Sequence, residues 1–287
     1  MAELVFLHGA GDSSAVWAAQ AEHFQASHRV LGLDLPGHGE RLAERAFEDH
    51  DANANEITRL IHARGCSKPV VIGHSMGGAV VLSLALREPR LPRALVLVAS
   101  GARLRMHPRL LESARERAQA AAGDEIVGSL VPLEMVVSPH ATAGTRARVS
   151  MVVGQSAAQA TYADFLANDR FDVMERLQEI KAPTLVLGGE DDQMAPPKHQ
   201  QFLADRLPAA TLVLLPAAGH YPHVEQEAAF NRELERFLSN LTPPPQPLPQ
   251  HWAQYWGGAR GEGLVARGEG EDDGATETGG PRGHQRD

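Results

Sequence analysis

The chain has 287 residues, 43% of them apolar, and a formal net charge of −9. This length and apolar fraction are enough for one sizeable hydrophobic core. The acidic balance disfavours nucleic acid and anionic membranes as partners, because both bind through a basic face. No apolar run approaches the roughly 20 residues of a membrane-spanning helix. The first residues also lack the basic-then-apolar pattern of a signal peptide, so we expect a cytoplasmic protein.

The single cysteine of the chain is Cys66, which excludes an intramolecular disulfide. It stands just before an apolar run, and we expect it to be a buried structural thiol. No group of cysteines, histidines and carboxylates has the spacing of a metal site, so neither a metal nor an organic cofactor is predicted.

Short apolar runs alternate with helical stretches over the first hundred residues. Buried strands are predicted at residues 4–7, 30–33, 69–72 and 94–98, and helical spacing is clearest at residues 52–64 and 79–87. This alternation predicts an α/β fold, in which helices flank both faces of a mostly parallel central sheet.

The second half of the chain interrupts this pattern. Helices are predicted at residues 108–122, 157–168 and 171–180, strands at residues 184–187 and 211–215, and a last amphipathic helix at residues 228–238. The simplest interpretation is a helical insertion between two strands of the sheet. Residues 243–287 form a tail rich in proline and glycine, which we predict to be disordered, so that residues 1–242 are the globular domain.

The strongest chemical signal is Gly73-His74-Ser75-Met76-Gly77-Gly78, which matches the G-x-S-x-G nucleophile elbow. It stands between an apolar strand and a helix, which is the context that this motif requires. Side chains at Gly73 and Gly77 are expected to collide with neighbouring backbone in the sharp turn. Ser75 is therefore the predicted nucleophile, at the carboxyl end of the sheet and beside a helix N-terminus that favours negative charge.

A serine hydroxyl needs a base, and His220 is the best candidate. It follows the strand at residues 211–215, and loops after parallel strands open on the same edge of the sheet as the elbow. His74, inside the elbow, and His223 rank below it.

The acid that orients the base is expected in the loop after the strand at residues 184–187. Three carboxylates lie together there: Glu190, Asp191 and Asp192. Because this loop precedes His220 in the chain, the order serine, acid, histidine is the one expected for a nucleophile elbow of this kind.

Acyl transfer also needs backbone donors for the developing oxyanion. The N–H of Met76, directly after the nucleophile, is one candidate. The other is the N–H of Ala10 in the loop His8-Gly9-Ala10-Gly11 after the first strand, where the glycines let the backbone approach the substrate.

Together these segments resemble the α/β-hydrolase superfamily. Its markers occur in order over nearly all of residues 4–241: His8-Gly9-Ala10-Gly11, Asp34-Leu35-Pro36-Gly37-His38-Gly39, the elbow, Gly189-Glu190-Asp191-Asp192 and Gly219-His220. The resemblance implies the α/β-hydrolase fold and a structural role for the Asp34 loop. It also selects Asp192, the last residue of a Gly-x-x-Asp step, as the acid of the triad, with Asp191 as the alternative.

The resemblance further implies that the insertion, about residues 103–169, is a helical cap that covers the site and shapes the acyl pocket. Candidate lining residues are Met106, Met135, Met151, Tyr162 and Phe165. At helical spacing such residues more often belong to a core than to a pocket.

The predicted activity is hydrolysis of a carboxylic ester of a small or medium apolar acid, with a small-molecule acyl substrate as the predicted partner. Ser75 attacks, an acyl-enzyme forms, and water activated by His220 releases the acid. The same triad would also serve lactone opening, thioester hydrolysis, carbon–carbon hydrolysis of a dienoate or cofactor-free haloperoxidase chemistry. A non-catalytic ligand receptor is the alternative of another class, and the intact set of Ser75, Asp192 and His220 argues against it.

Overall fold

The computed structural model describes residues 1–126 and 128–241. Its strands are β1 (Glu3–Leu7), β2 (Arg29–Leu33), β3 (Val70–His74), β4 (Ala94–Val98), β5 (Thr184–Gly189) and β6 (Ala210–Leu215). They form one sheet in the order β2-β1-β3-β4-β5-β6, and every neighbouring pair is parallel. The predicted parallel central sheet is confirmed.

Helices lie between the strands along the chain. The α-helices of the described residues are α1 (Ala18–Phe24), α2 (His50–Ala63), α3 (Met76–Arg87), α4 (Pro108–Ala120), α5 (Leu133–Val136), α6 (Ala143–Val152), α7 (Ala158–Arg170), α8 (Pro197–Arg206), α9 (Pro222–Glu225) and α10 (Glu227–Asn240). Short 3-10 helices are found at Ser14–Trp17, Gly39–Arg41 and Met174–Glu179.

Alternate residues of a strand enter two separate cores, one on each face of the sheet. In β1, Val5 belongs to a core that includes Ile57 of α2, whereas Leu4 belongs to a core that includes Phe230 of α10. Strands β3 and β4 are buried along their whole length, as expected for parallel strands with helices on both sides.

The helices α4 to α7 all lie between β4 and β5 in the chain, where the insertion is predicted. The sequence analysis did not predict α6, although Thr142 is an N-cap signal: its hydroxyl accepts a hydrogen bond from the Thr145 N–H at 3.1 Å. It also missed α8, which begins with Pro197, and proline is favoured in the first turn of a helix.

The α-helix predicted at residues 171–180 is wrong, and the structure has only the 3-10 helix Met174–Glu179 there. The reason is a tertiary contact. Arg103 and Asp172 form an isolated antiparallel bridge, and the Val173 N–H donates to the Ala102 carbonyl at 2.9 Å. This pairing holds the start of the segment extended, so an α-helix cannot begin there. The apolar residues of the segment still pack in the core, although the segment is not an α-helix.

Within the two described ranges, no helix is both long and apolar enough to cross a membrane. The tail predicted at residues 243–287 lies outside the described residues. The carboxyl ends of β1, β3, β5 and β6 lie along one edge of the sheet, because all the strands run in the same direction. The loops that follow these four strands contain the residues of the candidate site.

Candidate active site

The elbow holds Ser75 in a backbone conformation that non-glycine residues rarely adopt, with φ 52° and ψ −115°. A Cβ at Gly73 would lie 2.2 Å from the Gly77 carbonyl oxygen, and one at Gly77 would lie 2.6 Å from the His8 carbonyl oxygen. The Ser75 N–H donates to the Val98 carbonyl at 2.8 Å, and the Ser100 hydroxyl donates to the Ser75 carbonyl at 2.7 Å. The strained turn is thus enforced by sterics and held by β4 and the residues after it.

Ser75, His220 and Asp192 form a continuous chain of hydrogen bonds. The Nε2 of His220 lies 3.0 Å from the Ser75 Oγ, and its Nδ1 lies 3.0 and 3.1 Å from the two carboxylate oxygens of Asp192. In the neutral imidazole, Nδ1–H then donates to Asp192, and Nε2 is free to accept the serine proton. This is the arrangement in which the serine hydroxyl can become a nucleophile.

The environment of His220 sets its basicity. Burial by itself would lower the pKa of His220, but the charge and the hydrogen bond of Asp192 raise it above the ordinary value for histidine. Asp192 is 3% exposed, and its Oδ1 also accepts the N–H groups of Met194 and Ala195 at 2.8 and 2.9 Å. These donors stabilise the carboxylate and fix its direction toward the imidazole.

Asp191, the alternative acid, has a different partner. Its Oδ2 accepts a hydrogen bond from the Ser138 hydroxyl at 2.6 Å, so the side chain points toward the segment between α5 and α6. The two neighbouring carboxylates therefore face different parts of the molecule, and only Asp192 contacts the imidazole.

Residues 8–12 form the loop in which an oxyanion donor is predicted, named the oxyanion loop after that prediction, and they follow β1 beside the elbow. Ala10 is half-buried and lines the same cavity as Ser75. Its N–H donates no hydrogen bond to any described residue, and the N–H of Met76, in the first turn of α3, has no partner within its own helix. Two donors without intramolecular partners are what an oxyanion hole needs.

The orientation of the Ala10 N–H is set by its own peptide group. The Gly9 carbonyl accepts hydrogen bonds from the His8 Nδ1 at 2.8 Å and from the Asp12 N–H at 3.3 Å. Because this peptide is trans, its N–H points opposite to its carbonyl. His8 is buried, and its Nε2 accepts the Leu35 N–H at 3.1 Å. The His8 ring is therefore the neutral tautomer with its proton on Nδ1, which donates to the Gly9 carbonyl and holds that peptide group in place.

The loop that carries His220 is organised by a carboxylate that the sequence analysis did not single out. Glu225 Oε1 accepts the N–H groups of Gly219 and Tyr221 at 3.0 and 3.1 Å, and its Oε2 accepts the Ser138 N–H at 2.7 Å. The His74 Nε2 donates to the His220 carbonyl at 2.8 Å. Hydrogen bonds to the Gly219 N–H, the His220 carbonyl and the Tyr221 N–H therefore fix the backbone on both sides of the base.

The other candidate base, His223, takes no part in the hydrogen-bond chain. It is buried and stacked on Trp17, with ring centroids 4.2 Å apart. Burial is the main cause and the nearby His220 the second cause that lower the pKa of His223 to about 3, so it stays neutral.

The Asp34 loop has the structural role that the resemblance implies. Asp34 accepts the Ser14 and Glu40 N–H groups at 2.6 and 3.0 Å and so holds the conformation of its own loop.

Another buried acid, Asp12, lies in the oxyanion loop and was missed by the sequence analysis. Its Oδ2 accepts the Tyr221 hydroxyl at 3.0 Å, and its Oδ1 has no hydrogen-bond partner among the described residues. Burial raises the pKa of Asp12 to about 7, even though the Tyr221 hydrogen bond lowers it. Asp12 follows Gly11 and precedes Ser13 and Ser14, and this sequence context did not indicate a buried acid beside the site.

A cavity of about 580 Å³ opens over Ser75 and His220. Of the five predicted lining residues, Met106, Met135 and Phe165 line it. Tyr162 does not, because Thr161, Phe165 and Asn168 form the cavity face of α7, and the next residue after Thr161 is rotated by about 100° around the helix. Tyr162 lines a separate cavity against residues 37–48. Met151 is 69% exposed on α6 and lies outside the cavity wall.

Metal-ligating side chains are the next feature of residues 1–126 and 128–241. In the part of the chain that the structure describes, no group of three or more His, Cys, Asp or Glu residues could hold a metal ion. Cys66 is buried, as predicted, and burial raises the pKa of its thiol.

The fold and this edge-of-sheet arrangement of serine, histidine and carboxylate define a class, the α/β-hydrolases. The chain belongs to the alpha/beta hydrolase family, whose family model matches residues 4–233. It is accordingly a hydrolase, since relatives that match it over most of their length are named hydrolases.

Two relatives and one solved structure illustrate the similarity. A Variovorax paradoxus protein, provisionally named carbamate hydrolase RutD, is 33% identical over 248 residues, which cover 83% of this chain and 92% of the relative. A 2-hydroxy-6-oxo-6-phenylhexa-2,4-dienoate hydrolase of Burkholderia cepacia is 29% identical over 255 residues, with coverage of 83% and 87%. A thermophilic esterase of Thermogutta terrifontis shares the fold, with a TM-score of 0.75, 24% identity and coverage of 85% and 91%.

Proposed function

We propose that the protein hydrolyses carboxylic esters through an acyl-enzyme on Ser75. The observation that carries this proposal is the chain of hydrogen bonds from the Ser75 Oγ through both ring nitrogens of His220 to Asp192. A hydroxyl held 3.0 Å from an unprotonated imidazole nitrogen can lose its proton as it attacks a carbonyl carbon.

In the first step the Ser75 Oγ attacks the ester carbonyl, and its proton moves to the His220 Nε2. The N–H groups of Ala10 and Met76 stabilise the oxyanion of the tetrahedral intermediate. The intermediate collapses, and His220 gives the proton to the departing alkoxide, which leaves as an alcohol. In the second step His220 takes a proton from water, the hydroxide attacks the acyl-enzyme, and the acid is released as Ser75 regains its proton.

The cavity supports a substrate of small to medium size. Its wall exposes more apolar than polar surface, and Leu110, Val131 and Phe165 are among its residues. An apolar wall favours an uncharged acyl chain, because burial of its surface on binding is favourable and costs no desolvation of polar groups.

Carbamates are the second candidate, favoured by the 33% identical relative that is named a carbamate hydrolase. A carbamate carries its carbonyl in the same geometry as an ester, so the same nucleophile and oxyanion donors apply. Lactones, thioesters, dienoates and haloperoxidase substrates would be processed by the same triad, so they should be tested beside esters and carbamates.

A fluorophosphonate probe tests the serine hydrolase directly. We expect covalent label on Ser75 and none on the Ser75→Ala variant. A matched panel of p-nitrophenyl esters, aryl carbamates, lactones and acyl thioesters should then give the highest kcat/KM for a short-chain ester. Absence of label on the folded wild-type protein would favour a ligand receptor, and a higher kcat/KM for the carbamate would replace the ester proposal.

A further inference from the structure

The insertion does more than cover the cavity, because it also holds the oxyanion loop. Both polar groups of Gly11 are bonded to it: the Gly11 N–H donates to Asp164 Oδ2 of α7 at 2.9 Å, and the Gly11 carbonyl accepts the Gln155 N–H at 2.8 Å. Gly11 directly follows Ala10 and has φ of 75°, a conformation that glycine adopts without strain.

Asp164 is a buried charge with two partners on one oxygen. It is 1% exposed, and its Oδ2 lies 2.9 Å from the Nε2 of His38 as well as from the Gly11 nitrogen. The His38 Nδ1 lies 3.0 Å from the Pro36 carbonyl, which can only accept a hydrogen bond. Nδ1 therefore carries a proton, and opposite an ionised Asp164 the Nε2 must donate a second one, so the ring is an imidazolium when Asp164 is a carboxylate.

The charge of His38 matters for the chemistry at Ala10. A lone carboxylate one peptide away from an oxyanion would oppose the negative charge that develops on the substrate. Paired with the imidazolium, Asp164 keeps its strong hydrogen bond to the Gly11 N–H while the pair has no net charge. Although burial lowers the pKa of His38, the charge and hydrogen bond of Asp164 outweigh it and raise that pKa above the ordinary value.

We propose that Asp164, neutralised by His38, is a positioning residue that fixes the Ala10 N–H for the oxyanion. The Ala10 N–H lies between two anchored peptides. On its own peptide the Gly9 carbonyl is held by His8, and on the next peptide the Gly11 N–H is held by Asp164. Without the second anchor, the loop would keep its place but its donor would no longer have one fixed direction. The inference rests on the proposed acyl-enzyme chemistry at Ser75.

The test compares a transition-state analogue with a ground-state analogue. An alkyl trifluoromethyl ketone adds to Ser75 and forms an oxyanion, whereas the matching methyl ketone fills the same pocket and forms none to a comparable extent. For Asp164→Ala we expect kcat for p-nitrophenyl butyrate and affinity for the trifluoromethyl ketone to fall roughly 10–100-fold, less than the loss of a whole donor. KM and methyl ketone affinity should stay within about threefold of wild type, since the donor acts mainly on the transition state.

Asp164→Asn is the conservative variant, and it decides the matter if Asp164→Ala does not fold. A neutral amide oxygen of the same shape is a weaker acceptor, so we expect a loss of about three- to tenfold in trifluoromethyl ketone affinity at unchanged methyl ketone affinity. Gly11 amide protection from hydrogen exchange should fall in the same variant.

The matched control is His50→Ala. The His50 Nε2 lies 3.0 Å from Asn168 Oδ1, so this buried contact also ties α7 to the sheet domain but does not touch the oxyanion loop. We expect a loss of stability and an unchanged ratio of trifluoromethyl ketone affinity to methyl ketone affinity, because Asn168 lines the cavity that both ketones fill. Equal losses for both ketones in the Asp164 variants, unchanged trifluoromethyl ketone affinity, or an equal effect of His50→Ala would overturn the inference. Failure of wild-type ester turnover and Ser75 labelling would instead refute the proposed function.

Discussion

The elbow around Ser75 and the oxyanion loop lie side by side but are held in different ways. The elbow is constrained within its own motif, because a side chain at Gly73 would collide with the backbone of Gly77. The oxyanion loop depends on Asp164, which is 153 positions away from Gly11 in the chain. A local motif therefore places the nucleophile, whereas long-range contacts with the insertion orient its partner donor. Substitutions in the elbow and substitutions in the contacts of the oxyanion loop should therefore change different measured quantities.

The largest effect should come from the elbow and its base. Ser75→Ala and His220→Ala should each lower kcat by roughly 10⁴- to 10⁶-fold, and the double variant should be little worse, because the two residues act as a unit. Single-turnover ester hydrolysis, with the melting temperature as a check of folding, measures this. Additive losses would mean that Ser75 and His220 do not act in one step.

The next largest effect separates two neighbouring acids. Asp192→Asn removes the charge that stabilises protonated His220 and should lower kcat roughly 10³- to 10⁴-fold, the precedent set by serine proteases. Asp191→Asn is the matched control, since it changes the same atoms one residue away but faces Ser138. We expect it to keep turnover within about tenfold of wild type. If Asp191→Asn is the inactive variant, the assignment of the acid is wrong.

Gly77→Ala tests the place where the two regions touch, because its Cβ would lie 2.6 Å from the His8 carbonyl oxygen of the oxyanion loop. Both backbones would have to move, so we expect the free energy of unfolding to fall by about 1–3 kcal/mol, along with turnover. Gly144→Ala in α6 is the control: its Cβ would meet only Thr142 Oγ1 at 3.8 Å, and it should be neutral or slightly stabilising. Chemical denaturation of both variants decides whether the contact is as tight as the geometry indicates.

The smallest effect concerns pH. The charge of Asp12 helps to raise the pKa of His220, and the base works only when it is unprotonated. Asp12→Asn should therefore lower the pKa of His220 and move the acid limb of the kcat/KM profile to lower pH. Because burial raises the pKa of Asp12 to about 7, its own ionisation near neutral pH changes the charge that acts on His220, so the wild-type limb should also be broader than a single-proton titration.

The control for this profile is Asp205→Asn, which removes a negative charge from an exposed position on α8. Its acid limb should coincide with that of the wild type, since solvent and salt screen an exposed charge. An Asp12→Asn profile that stays in place, or moves to higher pH, would show that Asp12 does not influence the base.

The sequence analysis was strongest where the signal is local. The parallel sheet follows from short apolar runs alternating with helical periodicity, and the collision at Gly73 and Gly77 follows from the sharp turn that the motif requires. It failed at residues 171–180, where apolar spacing suits a helix but a bridge to Arg103 holds the chain extended. It also placed Tyr162 and Met151 in the pocket, because apolar or aromatic character does not reveal which face of a helix looks inward.

The residues predicted for the triad and their order came from motifs and from the family resemblance, and the structure brings their side chains within hydrogen-bond distance of one another. The direction in which each carboxylate points could not be taken from them, because adjacent loop residues differ in orientation and their partners lie far away in the chain. Asp191 is turned to Ser138, Glu225 brackets the His220 loop, and Asp164 reaches Gly11 from the insertion. A buried carboxylate acquires its role from the donors around it, and packing of distant segments is what brings those donors together.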